Sequence, residues 1–574
     1  MMQTQRTILW VIFVMSLLFL WDSWQKYNGH PSLFGGFAPS TQTAPAPGQT
    51  GQTGPSAPGA GAVDSSIPSA PATSPAAGTA GQPGATAPAS VGATGKLVRI
   101  ENDLLQVDID TMGGQVRRVE LLKHREQSDN KDSGNLIMLS SEPGRVFLSQ
   151  SGLVGVEGAP NHNSQMTVVN KPADPAAPPG TVDLVMASEG GGVRLERRYR
   201  LVPGSYEIQV ENTVTNLSDK PLAPTLYLQL TRDGNSAPGA SGMYSTYTGP
   251  AVYTDAEKFQ KVDFGDIENG KAKHVTKSDN GWIGIIQHYF ATVWVPEQGV
   301  PREYYTRRIE ANMYSVGVLE PLGQIAPGQT LTKDAKLFVG PQNQQILEQV
   351  APGLELVRDY GWLTAIAKPL FWLLNALHKI VGNWGWSIVL LTILVKLAFF
   401  PLQAASYRSM AKMKKVGPKL TALRERFGSD RVKMNQAMME LYKTEKINPL
   451  GGCLPIVVQI PVFIALYWVL LASVEIRNAP WIGWINDLST PDPFYVLPII
   501  MAATMFMQTR LNPTPPDPLQ AKMMLWMPLI FSVMFFFFPA GLVLYWVVSN
   551  IFSIAQQWVI TRRIEGKPVL GRAR

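Results

Sequence analysis

The sequence predicts a polytopic α-helical membrane protein with six transmembrane helices, an extramembrane antiparallel β-sandwich domain and a cytoplasmic helical hairpin. Residues 447–474 and 523–561 contain no Asp, Glu, Lys or Arg. Since about 20 helical residues cross a bilayer, the first run is long enough for one span and the second for two. Alternating polar and apolar residues between 96 and 345 indicate the β-sandwich. Only 16% of the 574 residues are charged, which excludes a purely soluble enzyme.

Residues 1–28 predict the first transmembrane helix, an N-terminal anchor. The apolar, uncharged stretch 7–21 also fits a secretory signal peptide. However, no small-x-small cleavage site follows it, and Trp21, Trp24 and Tyr27 resemble the aromatic belt of a membrane interface. We therefore expect an uncleaved anchor whose N-terminus lies in the cytoplasm.

Residues 29–95 predict a flexible Gly/Pro/Ala-rich linker. Gly or Pro occupies 21 of the 60 positions from 36 to 95, and Asp64 is the only charged residue there. Such a segment buries too little apolar surface to offset the entropy lost on ordering, so we expect it to be mobile and assign it no function.

Residues 96–350 predict the β-sandwich domain. Tyr206, Ile208 and Val210 alternate with polar residues, as in a strand with one buried face. Four acidic residues have the spacing of an exposed strand face, and we expect them to be solvated rather than catalytic: Asp108, Asp110, Glu207 and Glu211. Residues 351–383 follow as an amphipathic helix, which we expect to lie in the membrane interface with Trp362 and Trp372 at headgroup level. The alternative is a helix packed on the β-domain.

Residues 384–562 predict a five-helix transmembrane core. Its spans are expected at about 384–402, 454–474, 494–510 and 523–561, the last being two helices that turn at Pro539, Ala540 and Gly541. The positive-inside rule places the basic hairpin 403–450 and the basic tail 563–574 in the cytoplasm. Both termini are then cytoplasmic and residues 96–350 periplasmic. A basic segment also fits nucleic-acid binding, which its position between two spans disfavours.

The hairpin 403–450 carries eleven Lys or Arg against four acidic residues. Two helical stretches, 410–427 and 432–446, flank a turn at Gly428. Their apolar faces are methionine-rich, which suits varied polypeptide ligands but also fits an unremarkable hairpin core: Met410, Met413, Leu420 and Met438 are the candidate residues.

Lys396 is the one charged residue of its span and the main candidate for a functional site. A charge at membrane depth is costly and usually faces water or a partner, although a lysine near a span end also snorkels to the headgroups. Thr392 lies one helical turn before it, and the other spans offer neutral polar residues but no Asp or Glu: Gln459, Thr504, Gln508, Ser549, Asn550, Ser553, Gln556 and Gln557. This pattern favours a hydrated groove over a proton relay.

The sequence gives no indication of catalysis or of a bound cofactor. It lacks HExxH, GxSxG and Walker motifs, its six histidines are scattered, and Cys453 is the only cysteine. We therefore expect no enzyme activity, no metal site, no cofactor and no small-molecule substrate.

Four stretches resemble the YidC family of bacterial membrane protein insertases, in the Oxa superfamily: YRSMAKMKKVGPKL, INPLGGCLPIVVQIPVFIALYWVL, APWIGWINDLSTPDPFYVLPIIM and FPAGLVLYWVVSNIFSIAQQ. With the anchor, linker and external domain, the resemblance to Gram-negative members covers nearly the whole chain. It implies insertion and chaperoning of integral membrane proteins into the inner membrane, alone or with the Sec translocon. Nascent membrane proteins, Sec components, the ribosome and the lipid bilayer are the implied partners.

The resemblance also implies roles for individual residues. A cationic groove attracts the hydrophilic part of a client, and its candidate residues are Lys396, Thr392, Tyr545 and Trp546. An apolar surface on the third and fifth helices, which we call the slide, contacts the client's apolar segment. Its candidate residues are Gln459, Ile460, Pro461, Met534 and Phe535. Lys396 stands where the family most often has arginine, and Trp546 where it usually has tyrosine, so a generic electrostatic role is favoured over a precise bidentate bond.

Two rival functions remain open at this point. A polytopic transporter or channel would show paired intramembrane charges and inverted repeats, which the sequence lacks. A sugar-binding or sugar-modifying external domain, with the spans as an anchor, would not need six spans.

Overall fold

The computed structural model describes residues 66–70, 95–126, 133–171, 175–236, 247–427, 430–445, 454–511 and 518–564. The predicted anchor, most of the predicted linker, Cys453 and the basic tail lie outside these residues. The chain divides into two compact units with a boundary between Arg358 and Asp359, and each is described by itself.

The first unit contains two nine-stranded antiparallel sheets. The first sheet has the order β1-β2-β3-β4-β5-β10-β17-β16-β13, built from β1 (Leu97–Glu101), β2 (Leu105–Asp110), β3 (Val116–Arg125), β4 (Asn135–Glu142), β5 (Arg145–Val154), β10 (Thr225–Asp233), β13 (Lys277–Ser278), β16 (Arg302–Glu310) and β17 (Met313–Pro321). The second has the order β12-β11-β14-β15-β18-β9-β8-β7-β6, built from β6 (Thr167–Val168), β7 (Val182–Gly190), β8 (Val193–Leu201), β9 (Glu207–Asn216), β11 (Gly249–Thr254), β12 (Lys258–Lys261), β14 (Trp282–Ile286), β15 (Phe290–Pro296) and β18 (Thr330–Pro341).

The two sheets pack against each other, as the sequence predicts. Alternate residues of β9, beginning with Ile208 and Val210, are buried, while Glu207 and Glu211 remain partly exposed. The indole of Trp294 in the second sheet donates to the Gln229 carbonyl in the first, at 3.3 Å. Apolar alternation therefore identifies the buried face of β9 correctly.

The expectation that Asp108 and Asp110 face solvent is wrong. Both are buried, at 4% and 0% exposure. Asp108 accepts from Arg99 at 2.7 Å, and Asp110 pairs with the buried Arg117 at 3.0 Å while also accepting the Met112 N–H. Burial is tolerated because each carboxylate has a cationic partner and hydrogen bonds.

Two short helices belong to the first unit: α1 (Phe264–Glu268) and α2 (Gln344–Val350). The side chain of Asn343 caps α2 by accepting the N–H groups of Gln345 and Ile346. A 3₁₀ turn, Leu354–Val357, ends the unit.

The second unit begins with a 3₁₀ turn, Gly361–Leu363, and α3 (Thr364–Val381). The predicted helix over 351–383 is thus interrupted, because Gly353 and Gly361 adopt positive φ angles of 73° and 63° that end helical geometry. Trp372 on α3 is 71% exposed, whereas Phe371 is buried. The side chain of Trp362 lies outside the described residues.

The remaining helices are α4 (Trp384–Ala398), α5 (Phe400–Lys415), α6 (Gly417–Phe427), α7 (Arg431–Thr444), α8 (Leu454–Ala472), α9 (Val496–Leu511), α10 (Pro518–Met534) and α11 (Ala540–Ile564). Among the described residues, Ala540–Arg563 is long and apolar enough to cross a membrane, and Trp384–Ala398 with Phe400–Met413 passes the same test as a pair bent by 66°. Val458–Ala472, Val496–Leu511 and Leu525–Phe537 are shorter apolar helices.

The bend between α4 and α5 changes the expected second span. The span predicted to about Leu402 ends as a helix at Ala398, because Pro401 cannot donate a backbone hydrogen bond. Buried residues of α4, α8 and α11, such as Leu391, Leu466 and Val543, form the core of this unit.

Candidate functional site

Lys396 lies in the last turn of α4 and is 3% exposed. Its ammonium donates to the hydroxyl of Ser553 on α11 at 2.8 Å and to Oε1 of Gln459 on α8 at 3.4 Å. Three helices therefore meet at this cation. Both acceptors are neutral oxygens, so the contacts satisfy N–H groups without cancelling the charge.

Gln459 connects this cation to a fourth helix. Its Oε1 also accepts from Nε2 of Gln403 on α5, at 3.3 Å, and Gln403 is 5% exposed. We call the residues Lys396, Gln403, Gln459 and Ser553 the Lys396 cluster. The helix α5, which begins after a 66° bend, contributes Gln403 to it.

Neighbouring hydroxyl groups are satisfied within their own helices. The hydroxyl of Thr392, one turn before Lys396, donates to the carbonyl of Ile388 at 2.7 Å and is 1% exposed as a residue. Ser553 accepts from Lys396 and donates to the Ser549 carbonyl at 2.8 Å. Thr392 therefore lies beside the cluster without being part of its hydrogen-bond network.

Trp546 lies in an aromatic cluster on the same helix as Ser553. Its ring stacks on Phe463 at 4.5 Å with an interplanar angle of 6°, and Phe535 meets it edge-on at 4.1 Å and 86°. Seven residues separate Trp546 from Ser553, which is about 10 Å along a helix. Trp546 thus extends the helix face of the Lys396 cluster rather than touching the ammonium. Tyr545 beside it is buried, at 1% exposure.

The candidate slide residues differ in exposure. Gln459 belongs to the Lys396 cluster, Ile460 is 47% exposed, and Pro461 and Met534 are half-buried. Phe535 is only 3% exposed, and its ring packs edge-on against Trp546. Other apolar side chains near Met534 present more surface: Trp526, Ile530, Val533 and Phe537.

The predicted helical hairpin is formed by α6 and α7. Leu420 and Val416 are buried against Met413, Met438, Leu441 and Tyr442. Met410 is half-buried and lies outside this cluster, so the structure brings three of the four candidate hairpin residues together.

Asp430 caps the start of α7. Backbone N–H groups of Lys433 and Val432 hold the pKa of its carboxyl below the usual range. This stabilisation is present at neutral pH and is lost as the pH falls through the depressed folded pKa.

Gln403 is the member of the Lys396 cluster that sequence reasoning missed. It falls in the stretch interpreted as the start of the cytoplasmic loop. The Phe-Phe-Pro sequence just before it, where α4 ends, is the sequence feature that could have indicated a change of chain direction here. Within the described ranges, no group of three or more His, Cys, Asp or Glu residues could hold a metal ion.

Comparisons with known proteins cover nearly the whole chain. Residues 97–373 match the family model described as YidC periplasmic domain, and residues 376–567 match the one described as 60Kd inner membrane protein. The chain is 54% identical to the membrane protein insertase YidC of Cupriavidus necator, over 98% of each chain. It is 53% identical to that of Bordetella petrii, over 99% of each. A crystal structure described as an active YidC insertase with its first transmembrane domain resolved is 17% identical, covers 81% of this chain and 92% of its own, and has a TM-score of 0.37.

Proposed function

Since this chain belongs to the YidC family of membrane protein insertases, we propose that it inserts and folds integral membrane proteins through a hydrated groove whose positive charge is Lys396. The alternative of a transporter finds no support among the relatives, which are named insertases. The relatives also identify an inner-membrane protein with a periplasmic domain.

The proposed topology has six spans, with both termini in the cytoplasm and residues 96–350 in the periplasm. Its support is the positive-inside pattern of the basic hairpin 403–450 and the apolar character of α4, α8, α9, α10 and α11. Residues 1–28 supply the first span in this proposal, and 351–383 lie in the interface, where the exposed Trp372 would meet headgroups.

The observation that carries the proposed mechanism is the charge of Lys396, which neutral oxygens hold in place. An ammonium at membrane depth costs roughly 2.5–3.5 kcal/mol on insertion scales. Gln459 and Ser553 lower that cost by accepting hydrogen bonds, yet neither carries a negative charge that would neutralise the ammonium. An acidic or hydrophilic segment of a client would be attracted electrostatically to this charge. A groove that draws the segment in to this depth shortens the part of the bilayer that the segment still has to cross.

The apolar part of a client would contact the exposed slide residues. Ile460 and Met534 offer apolar surface near the Lys396 cluster and Trp546. The buried Phe535 packs edge-on against Trp546 and fixes the position of its ring. No chemical step is needed, because transfer of an apolar segment from water to lipid is favourable by itself.

The basic hairpin suggests how clients arrive. We propose that ribosomes contact its Lys and Arg side chains and that the protein works alone or beside the Sec translocon. Met413 and Met438 pack against the small core of the hairpin and are only partly buried. Their flexible side chains can adapt to polypeptides of different shapes.

Photo-crosslinking to a stalled nascent membrane protein tests the groove. We expect a photoreactive residue at Gln459 or Trp546 to crosslink to the client. The matched control is Ile551 on α11, which is 50% exposed and points away from Ser553. Crosslinks from Ile551 as strong as those from Gln459 and Trp546 would contradict a defined groove.

A further inference from the structure

Five residues of the predicted linker, 66–70, lie against the β-domain. We call them the docking segment. Their hydrogen bonds join positions 96 to 241 residues apart, so the contact is tertiary rather than local. Pro68 is buried, and Ser66 and Ile67 are half-buried. This burial departs from the expectation that the whole linker stays free.

The docking segment packs on part of one face of the first sheet, around Tyr227 and Leu319. All nine residues of β10 are buried, although successive side chains point to opposite faces. The packing of two sheets accounts for only one of these faces. Tyr227 and Gln229 share the other face with Leu319, which lies opposite Tyr227 on β17. The docking segment packs on that face.

Backbone carbonyls of the docking segment receive forked hydrogen bonds from Arg307. The two terminal nitrogens of the guanidinium donate to the Ser66 carbonyl at 2.6 Å and to the Ile67 carbonyl at 2.9 Å. Gln229 donates to the Ser66 carbonyl as well, at 3.0 Å. The Ser66 hydroxyl forms a hydrogen bond with Nε2 of His162 at 2.9 Å. One planar guanidinium therefore binds two successive carbonyls, at the turn where Ser66 and Ile67 lie.

The docking segment supplies one of the hydrogen-bond acceptors of the buried Gln229 amide. Gln229 is 0% exposed, and its Oε1 accepts from the hydroxyls of Tyr305 and Ser315. Its Nε2 donates to Gln150 at 2.8 Å and to Ser66. Without the segment, this N–H would lose its protein acceptor and would have to bind water instead.

The side chains of the docking segment match the apolar part of the site. Ile67 packs against a cluster formed by Val154, Tyr227, Leu319 and Tyr305. It is the only Ile or Leu between 36 and 95. Pro68 has no N–H to leave unsatisfied on burial, and it restricts the preceding residue to extended conformations.

We propose that the docking segment is an intramolecular peptide ligand and that this face of the sheet is a peptide-binding groove. The groove is specific for a Ser-Ile-Pro sequence, with Arg307 and Gln229 binding its carbonyls and Tyr227 and Tyr305 contacting its aliphatic side chain. Its occupation attaches the linker to the β-domain at one point ahead of β1.

Disulfide formation in the full-length protein tests the proposal. A Cβ added to Gly155 would lie 3.5 Å from the Cβ of Ala70, within the disulfide range of about 3.5–4.5 Å. In a Cys453→Ser background, we expect Ala70→Cys with Gly155→Cys to crosslink in most molecules. Ile67→Asp should lower the yield at least tenfold, and Val63→Asp should leave it unchanged. An equal yield for Ile67→Asp and Val63→Asp would overturn the proposal.

A second measurement avoids the positive φ of Gly155, 87°, at which a cysteine is strained. The maleimide reaction rate of Ile67→Cys is compared with that of Ala76→Cys in the same Cys453→Ser background. We expect the cysteine at 67 to react at least tenfold more slowly, and Arg307→Leu to remove most of that difference. Equal rates at the two positions with Arg307 intact would refute docking.

Discussion

At the residue scale, Lys396 combines a full charge with deep burial and neutral partners. Ser553 and Gln459 bind the ammonium, and Gln403 binds the same Gln459 oxygen. The shared acceptor couples α4 to α5 through one amide. Because a buried charge is costly when its hydrogen bonds are lost, each member of the Lys396 cluster should matter more in the presence of the lysine than in its absence.

A double-mutant cycle measures this coupling. Gln459→Leu should lower the free energy of unfolding in detergent by about 1–3 kcal/mol when Lys396 is present, because one N–H of the ammonium then lacks its partner. In the Lys396→Met background the same change should cost much less, since no ammonium remains to be satisfied. Denaturant titrations of the four proteins give the coupling, and equal costs in both backgrounds would contradict it.

Sequence reasoning identifies the cation and its two hydrogen-bond partners, but not every residue of the Lys396 cluster. Lys396, Gln459 and Ser553 stand out because polar residues are conspicuous in apolar runs. Gln403 does not, since it follows the span in sequence and reaches the cluster only through the bend. Asp110 was misassigned for a related reason: alternation identifies the face of a strand but not what covers that face.

At the element scale, the break between α4 and α5 shapes the candidate site. Gln403 on α5, which follows the 66° bend, binds the side chain of Gln459 on α8. Helix termination by Pro401 is readable from the sequence, but the direction in which α5 continues depends on packing against α8 and α11. The same limit applies to the docking segment, which has the composition of a linker.

The helical hairpin should contribute more to activity than to stability. Its core, centred on Val416 and Leu420, is a separate small cluster from the core of α4, α8 and α11. We expect that replacing residues 410–446 with a short Gly-Ser loop abolishes most insertion while shifting the melting temperature by only a few degrees. Insertion into proteoliposomes and thermal unfolding are measured on the same preparation, with Thr421→Ala, an exposed position of α6, as the control. Normal insertion by the deletion variant would contradict this role.

At the scale of the whole molecule, the chain combines an antiparallel β-domain with an apolar helical domain. Relatives with 54% and 53% identity share nearly its entire length, so this combination is common to the family members compared. Apolar runs and alternation predicted both parts from the sequence. The number of spans and their orientation follow from charge distribution, and they remain predictions of the proposed topology.

Labelling of single cysteines tests that topology. In the Cys453→Ser background, Thr421→Cys in α6 and Thr213→Cys in β9 provide one reporter in each proposed compartment. We expect a membrane-impermeant maleimide added to spheroplasts to label position 213 and to reach position 421 only after the membrane is opened. Labelling of both from the outside would contradict the assignment of the hairpin to the cytoplasm.

The central claim is that the charge of Lys396 drives insertion electrostatically. The most direct measurement is the rate of insertion of a lightly charged client by Lys396→Arg, Lys396→Ala and Lys396→Glu at matched protein levels. A generic positive charge predicts near-normal rates for Arg, a loss of at least tenfold for Ala and a larger loss for Glu, because a carboxylate repels acidic clients. Full activity of Lys396→Glu would contradict the account.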